Sequence, residues 1–227
     1  MVIQIYSLTS VADAVATAEA GAHLIGVVVA ERGVVAEAID ADHAHNILAA
    51  IRPRARGVAL SLSDDRDEIC SMVDAVRPDI LHVVAREIEP EDCAWIRTRI
   101  APVQLLRAIA VRAGETISEA DTHQECVDFL MLDSGAKGPP FVGAAGETHE
   151  WSVSRSVVER SRIPVILAGG LSAENVAEAI AQVRPWGVDS FTHTDIVGRR
   201  GKKDPARVRA FIAAALRGFA DVIDSSK

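Results

Sequence analysis

Short runs of aliphatic and β-branched residues alternate eight times with longer stretches of helical period, and this alternation limits the possible folds more sharply than any other feature of the chain. The apolar runs are Val2–Tyr6, Leu24–Val29, Gly57–Leu62, Ile80–Val84, Val103–Val111, Val127–Leu132, Val165–Ala168 and Val188–Thr192. Between and after them lie helical stretches at Val11–Ala20, Asp42–Ile51, Asp65–Val76, Pro90–Arg99, Ser118–Glu125 (the weakest), Ser152–Arg160, Ser172–Val183 and Pro205–Phe219. Strands that are nearly continuous in apolar character, each followed by a helix, imply parallel pairing with both sheet faces covered. Eight such strands in 227 residues close more naturally as a (β/α)8 TIM barrel than they spread as an open doubly wound sheet. The open sheet also lacks a Gly-x-Gly-x-x-Gly turn after its first strand. No linker-like segment or charge block divides the chain, so one α/β barrel domain over residues 1–227 is expected.

Local chemistry supports several boundaries. Ser172 can cap the helix through Asn175 to Val183, Pro205 suits a first helical turn after Asp204, and Gly21 can take a left-handed helix exit. The core must be aliphatic: 49% of residues are hydrophobic, only 4% are aromatic, and the single tyrosine is Tyr6. With 24 Lys plus Arg against 32 Asp plus Glu, the net charge of −8 disfavours nucleic acid and anionic membrane as partners. No apolar run is long enough to span a bilayer, and Met1 leads directly into a strand pattern, so a cytoplasmic location is expected. Cys70, Cys93 and Cys126 show no CxxC spacing and read as reduced, buried thiols.

In a barrel of this kind, chemistry gathers at the C-terminal ends of the strands and in the loops that follow. Polar side chains near those positions are Tyr6, Thr9, Arg32, Ser61, Ser63, His82, Arg86, Arg107, Asp133 and the run Thr192-His193-Thr194-Asp195. The turn Gly169-Gly170 follows the seventh run and precedes a capped helix. Paired glycines let the backbone approach a ligand closely and direct N–H groups at it, as a phosphate requires. A metal at His82, Asp133, His193 and Asp195 is disfavoured because no HxH or HExxH spacing is present. His43 and His45 fall on different faces of a helix, and Arg199-Arg-Gly-Lys-Lys203 reads as a surface charge run with a secondary reading as a phosphate attractor.

Gln4-Ile-Tyr-Ser-Leu-Thr9, Ala20-Gly-Ala-His-Leu-Ile-Gly26, Leu132-Asp133-Ser134, Gly143-Ala-Ala-Gly-Glu-Thr-His-Glu-Trp151, Ile163–Val176, Arg184-Pro-Trp-Gly-Val-Asp189 and Gly201-Lys-Lys-Asp-Pro205 follow one another in a recognisable order and spacing. Together they resemble the phosphoribosylanthranilate isomerase family of tryptophan biosynthesis. The resemblance covers most of the chain and implies a (β/α)8 barrel, a phosphorylated small-molecule substrate, and an Amadori rearrangement without cofactor or metal. In that reaction a general acid protonates the ribose ring oxygen and a general base removes the C2′ proton. The acid maps onto Asp133. Substrate contacts map onto Arg32, Arg107, Gly146, Gly169, Gly170 and Thr192, and a homodimer is an open assembly.

The base position departs from the family. Where the family reads Lys-Ile-Cys-Gly-Ile-Thr, with the cysteine as base, this chain places Tyr6, a phenol with a reference pKa of about 10. The family's Ser-Ser-Gly turn after the eighth strand becomes Phe191-Thr-His-Thr-Asp195, its Gln-Leu-His-Gly becomes His82-Val-Val-Ala85, and its Ser-Pro-Arg becomes Glu31-Arg32-Gly33. Tyr6, His82, His193 and Asp195 are therefore the candidates for the missing proton acceptor. Two other readings stay open: a lyase or aldolase on a small phosphorylated or carboxylated compound, and a ligand-binding relative without turnover.

Overall fold

The barrel strands are β1 (Val2–Ile5), β2 (Leu24–Val29), β3 (Arg56–Ser61), β4 (Ile80–Val83), β5 (Gln104–Val111), β6 (Phe129–Ser134), β7 (Val165–Leu167) and β8 (Gly187–Ser190). In the computed structural model each is parallel to its neighbours, and β1 pairs with both β2 and β8, which closes the ring. The helices that follow them are α1 (Val11–Glu19), α2 (Ala41–Ala50), α3 (Arg66–Val76), α4 (Pro90–Ile100), α5 (Thr116–His123), α6 (Trp151–Arg160), α7 (Val176–Val183) and α8 (Pro205–Asp224). The structure describes residues 1–31, 33–112, 114–134 and 148–224. Arg32 and Gly146, two of the expected substrate contacts, lie outside the described residues.

Strand alternation sends the apolar residues to two faces of the sheet. Tyr6, Leu24, Val28, Val58, Ile80, Leu106, Phe129, Met131, Ile166 and Ala168 pack together inside the ring. Their chain neighbours, such as Ile5, Ile25, Ala59, Leu81, Leu105, Leu130 and Leu167, join a larger layer between the strands and the helices. The interior accommodates the Tyr6 ring because Gly26 stands opposite it. A Cβ at Gly26 would lie 2.6 Å from Tyr6 Cδ2 and Cε2.

Two of the expected helix signals act as their chemistry requires: Asp204 Oδ1 accepts from the Ala206 N–H beside Pro205, and Gly21 has φ +105°. Ser172 does not cap α7, whose N-cap is Asn175 without a side-chain bond; Ser172 Oγ accepts from the Glu174 N–H in the turn before the helix. The sixth strand runs later than its apolar residues suggest. Pairing Ala110 with Asp133 and Val111 with Ser134 extends it to Ser134, so Asp133 belongs to the strand and not to the loop after it. Two additions carry too few apolar residues to show as periodic segments: a two-residue strand, Ala38–Ile39, beside β2, and a hairpin of Asp195–Ile196 with Arg199–Lys203.

Candidate active site

Asp133 has the same facing as Phe129 and Met131 on β6, which aims its half-buried side chain at the barrel mouth. Its Oδ1 accepts from Ser134 N at 2.6 Å and Ser134 Oγ at 3.3 Å. The Gly169-Gly170 turn follows β7 with φ values of +82° and +62°, the left-handed region that favours glycine. A Cβ at Gly169 would meet His149 Nδ1 at 2.9 Å, Ser134 N at 2.9 Å and Asp133 Oδ1 at 3.1 Å. The missing side chain thus lets the turn close directly onto the carboxyl group and an imidazole.

Asp189, on β8, belongs to the same level of the barrel. The pairings Leu132 with Leu167 and Leu167 with Val188 carry Asp133 and Asp189 to equivalent heights on alternate strands. Burial pushes the Asp189 carboxyl well above the ordinary carboxylate range, and the charge of Asp133 pushes it further. Two carboxyl groups therefore share this interior: Asp189 buried, its pKa raised by that burial and by the charge of Asp133, and Asp133 half-buried at its edge. Asp189 closes the motif ending Gly-Val-Asp, but the sequence alone offers no reason to separate it from a capping residue.

Tyr6 occupies a different place from that expected of a proton acceptor. Its hydroxyl lies 3.0 Å from His82 Nδ1, and the two rings meet edge to face with centroids 5.5 Å apart. Both side chains are buried. Desolvation, with Asp189 adding to it, raises the Tyr6 phenol well above its ordinary value. Desolvation, with the Arg107 charge adding to it, lowers His82 to about 3. Both shifts favour the neutral forms, so an uncharged phenol and an uncharged imidazole share one hydrogen bond at pH 7. It fills the interior as a packed, polar plug.

Asp195 is also committed elsewhere. Its Oδ1 is 2.7 Å from Lys203 Nζ, and its Oδ2 accepts from Gly201 N at 2.9 Å. Lys203 Nζ also donates to the Phe191 carbonyl and Thr194 Oγ1, so its three protons have three acceptors. Lys203 is buried, contrary to the reading of Arg199–Lys203 as a wholly surface run. Arg200 pairs with both carboxylate oxygens of the buried Glu37, and Thr9 Oγ1 donates to the Gly201 carbonyl. The hairpin is thereby fastened to the loops after β1 and β2.

Arg107 faces away from the mouth. It shares the outward facing of Leu105 and Ile109, and its Nη1 donates to the Ala85 carbonyl at 2.6 Å and more weakly to that of Val83. A strand-end position does not reveal this, because one residue of register reverses the direction of the side chain. Thr192 and His193 belong to a 3₁₀ turn after β8, Thr192 half-buried and His193 exposed. Among the described residues, no group of three or more His, Cys, Asp or Glu could hold a metal ion. His149, absent from the sequence candidates because it precedes a helix and not a strand end, is drawn against the site by its contact with Ser154 on α6, Nε2 to Oγ 2.7 Å.

Comparison with known proteins gives concordant results. The family described as N-(5′-phosphoribosyl)anthranilate isomerase matches residues 3–214. The isomerase of Pseudomonas fluorescens strain Pf0-1 is 36% identical over 211 residues, covering 93% of this chain and 96% of that protein. That of Methanocella arvoryzae is 35% identical, covering 92% and 95%. The crystal structure of the Thermotoga maritima isomerase superposes with a TM-score of 0.81 at 26% identity, over 96% of this chain and 100% of that one. A second isomerase structure, in complex with reduced 1-(o-carboxyphenylamino)-1-deoxyribulose 5-phosphate, gives a TM-score of 0.80 at 25% identity, with the same coverage.

Proposed function

Since the chain belongs to the N-(5′-phosphoribosyl)anthranilate isomerase family, we propose that it isomerises phosphoribosylanthranilate, or a close phosphorylated sugar derivative, by an Amadori rearrangement at the Asp133 end of the barrel. The observation that carries this reading is the closure of the Gly169-Gly170 turn onto Asp133, where a Cβ would stand 3.1 Å from Oδ1. A phosphate on the N–H groups of that turn would bring the attached sugar to the carboxyl group.

In this mechanism Asp133, protonated, gives its proton to the ribose ring oxygen as the C1′–O bond breaks and the anthranilate nitrogen becomes an iminium. Asp133 is then a carboxylate beside the opened chain and takes the C2′ proton; the C2′–H electron pair forms the C1′=C2′ bond as the C1′=N π pair returns to nitrogen, leaving an enolamine. Asp133 passes this proton to C1′ and takes the proton that the enol hydroxyl at C2′ releases, which gives the ketose and restores the protonated carboxyl group. One carboxyl group serving both transfers suits a chain in which Tyr6 and His82 bond each other and Asp195 bonds Lys203.

The test is direct. Purified protein is incubated with phosphoribosylanthranilate and loss of substrate fluorescence is followed, with rescue of a tryptophan auxotroph lacking the isomerase as the cellular counterpart. The parent should turn over, and Asp133→Asn should lower kcat/KM by at least about 10²-fold. No turnover and no rescue by the parent would remove this reading. A homodimer, the assembly named for a Thermotoga maritima relative, and a cytoplasmic location accompany the proposal. Among the described residues no helix is long and apolar enough to cross a membrane.

A further inference from the structure

His149 makes one side-chain hydrogen bond among the described residues. Its Nε2 lies 2.7 Å from Ser154 Oγ, and Ser154 is fully buried within α6. Among the described residues the serine hydroxyl has no other acceptor, which favours it as donor to the Nε2 lone pair. Burial lowers the imidazole to about 4, which leaves it neutral at pH 7 with a single ring proton. With Nε2 accepting, that proton resides on Nδ1.

The Nδ1 atom is itself buried and has no hydrogen-bond partner among the described residues. It stands 2.9 Å from the point where a Gly169 Cβ would be, and Asp133 Oδ1 stands 3.1 Å from the same point, so the two atoms are no more than about 6 Å apart. A buried N–H without an acceptor is an uncommon arrangement in a folded chain. Here it borders both the carboxyl group and the glycine turn, where a ligand oxygen would complete it.

We propose that His149 contacts the substrate as a neutral hydrogen-bond donor, its Nδ1–H directed at an oxygen of the sugar phosphate beside Asp133. The inference rests on the isomerase reading. Its chemical content is that the donor fixes the sugar so that the C2′ proton faces Asp133, while the ring takes no proton from substrate because the Nε2 lone pair is occupied. No bond to His149 forms or breaks. Polarisation by a donor that is already neutral needs no change of charge during turnover.

The experiment combines kinetics with a direct view of the ring. In 15N-labelled protein at pH 7, the His149 ring should show protonated Nδ1 and bare Nε2. His149→Phe keeps the ring volume and removes the donor, and should lower kcat/KM for phosphoribosylanthranilate by about 10²-fold. It should also weaken binding of reduced 1-(o-carboxyphenylamino)-1-deoxyribulose 5-phosphate. His149→Asn, which returns an N–H near the Nδ1 position, should recover at least tenfold of that loss. Thermal unfolding of each variant separates a lost donor from a lost fold. A proton on Nε2, a Phe variant within threefold of the parent, or a folded Asn variant no better than Phe would overturn the proposal. A parent without turnover would overturn it together with the isomerase reading, and that failure is seen in the unsubstituted protein.

Discussion

Replacing Tyr6 with Phe separates a structural phenol from a catalytic one. The substitution keeps the ring against Gly26 and removes only the hydroxyl that lies 3.0 Å from His82 Nδ1. His82 Nε2 already has no partner among the described residues, so the variant would leave both nitrogens of a buried imidazole unbonded. A buried polar atom stripped of its partner costs about 1–3 kcal/mol, and the easier burial of phenylalanine offsets part of this. The expected net loss is about 1–2 kcal/mol, corresponding to a fall of about 2–8 °C in Tm for a chain of this size. Turnover should stay within about threefold of the parent, whereas removal of a general base costs about 10²–10⁴-fold. Differential scanning calorimetry and initial rates on one preparation supply both quantities. A Tyr6→Phe protein of unchanged Tm whose kcat/KM has fallen by 10²-fold would refute the argument and return the phenol to the proton-transfer chemistry.

Three further outcomes follow from the same packing and electrostatics. Gly26→Ala places a methyl group 2.6 Å from the Tyr6 ring and should destabilise by about 1–3 kcal/mol in urea titration; in a Tyr6→Ala background most of that cost should vanish, and additive losses would show that the ring and the glycine are not coupled. Lys203→Met leaves the buried Asp195 without its cation and should cost about 3–5 kcal/mol, while combining Lys203→Met with Asp195→Leu should recover much of it; equal losses in the single and double variants would contradict the pairing. The third outcome concerns acid. His82 is lowered from 6.5 to about 3, so the unfolded chain binds a proton there that the folded chain refuses, and stability from this group is full above pH 6.5 and lost as pH falls towards 3. Buried Asp189 acts oppositely: its folded pKa is raised, so its contribution is full below the unfolded value and declines as pH rises. His82→Gln should therefore reduce the slope of unfolding free energy against pH by up to about 1.4 kcal/mol per unit between pH 4 and 6, and an unchanged slope would count against a neutral His82.

The alternation of strands and helices is legible in the sequence because it is written in local periodicity, which needs no partner to be read. Asp133 and Gly169-Gly170 are legible too, since their chemistry depends on residue type and on place in the βα repeat. Tyr6 is visible as the departure from the family's cysteine, yet its role is not. Whether that phenol meets substrate or His82 depends on a strand 76 residues away and on Gly26 leaving room for the ring. Arg107 and Asp189 make the same point through register. Both stand on barrel strands, and only the side-chain facing fixed by strand pairing sends one under the helices and the other into the barrel interior. His149 lies outside every strand end, and closure of the ring brings its Nδ1 to no more than about 6 Å from Asp133 Oδ1. Local patterns fix the elements and their order. The directions of buried polar groups, and with them which groups ionise, come from contacts across the barrel, where desolvation by distant residues sets the protonation state.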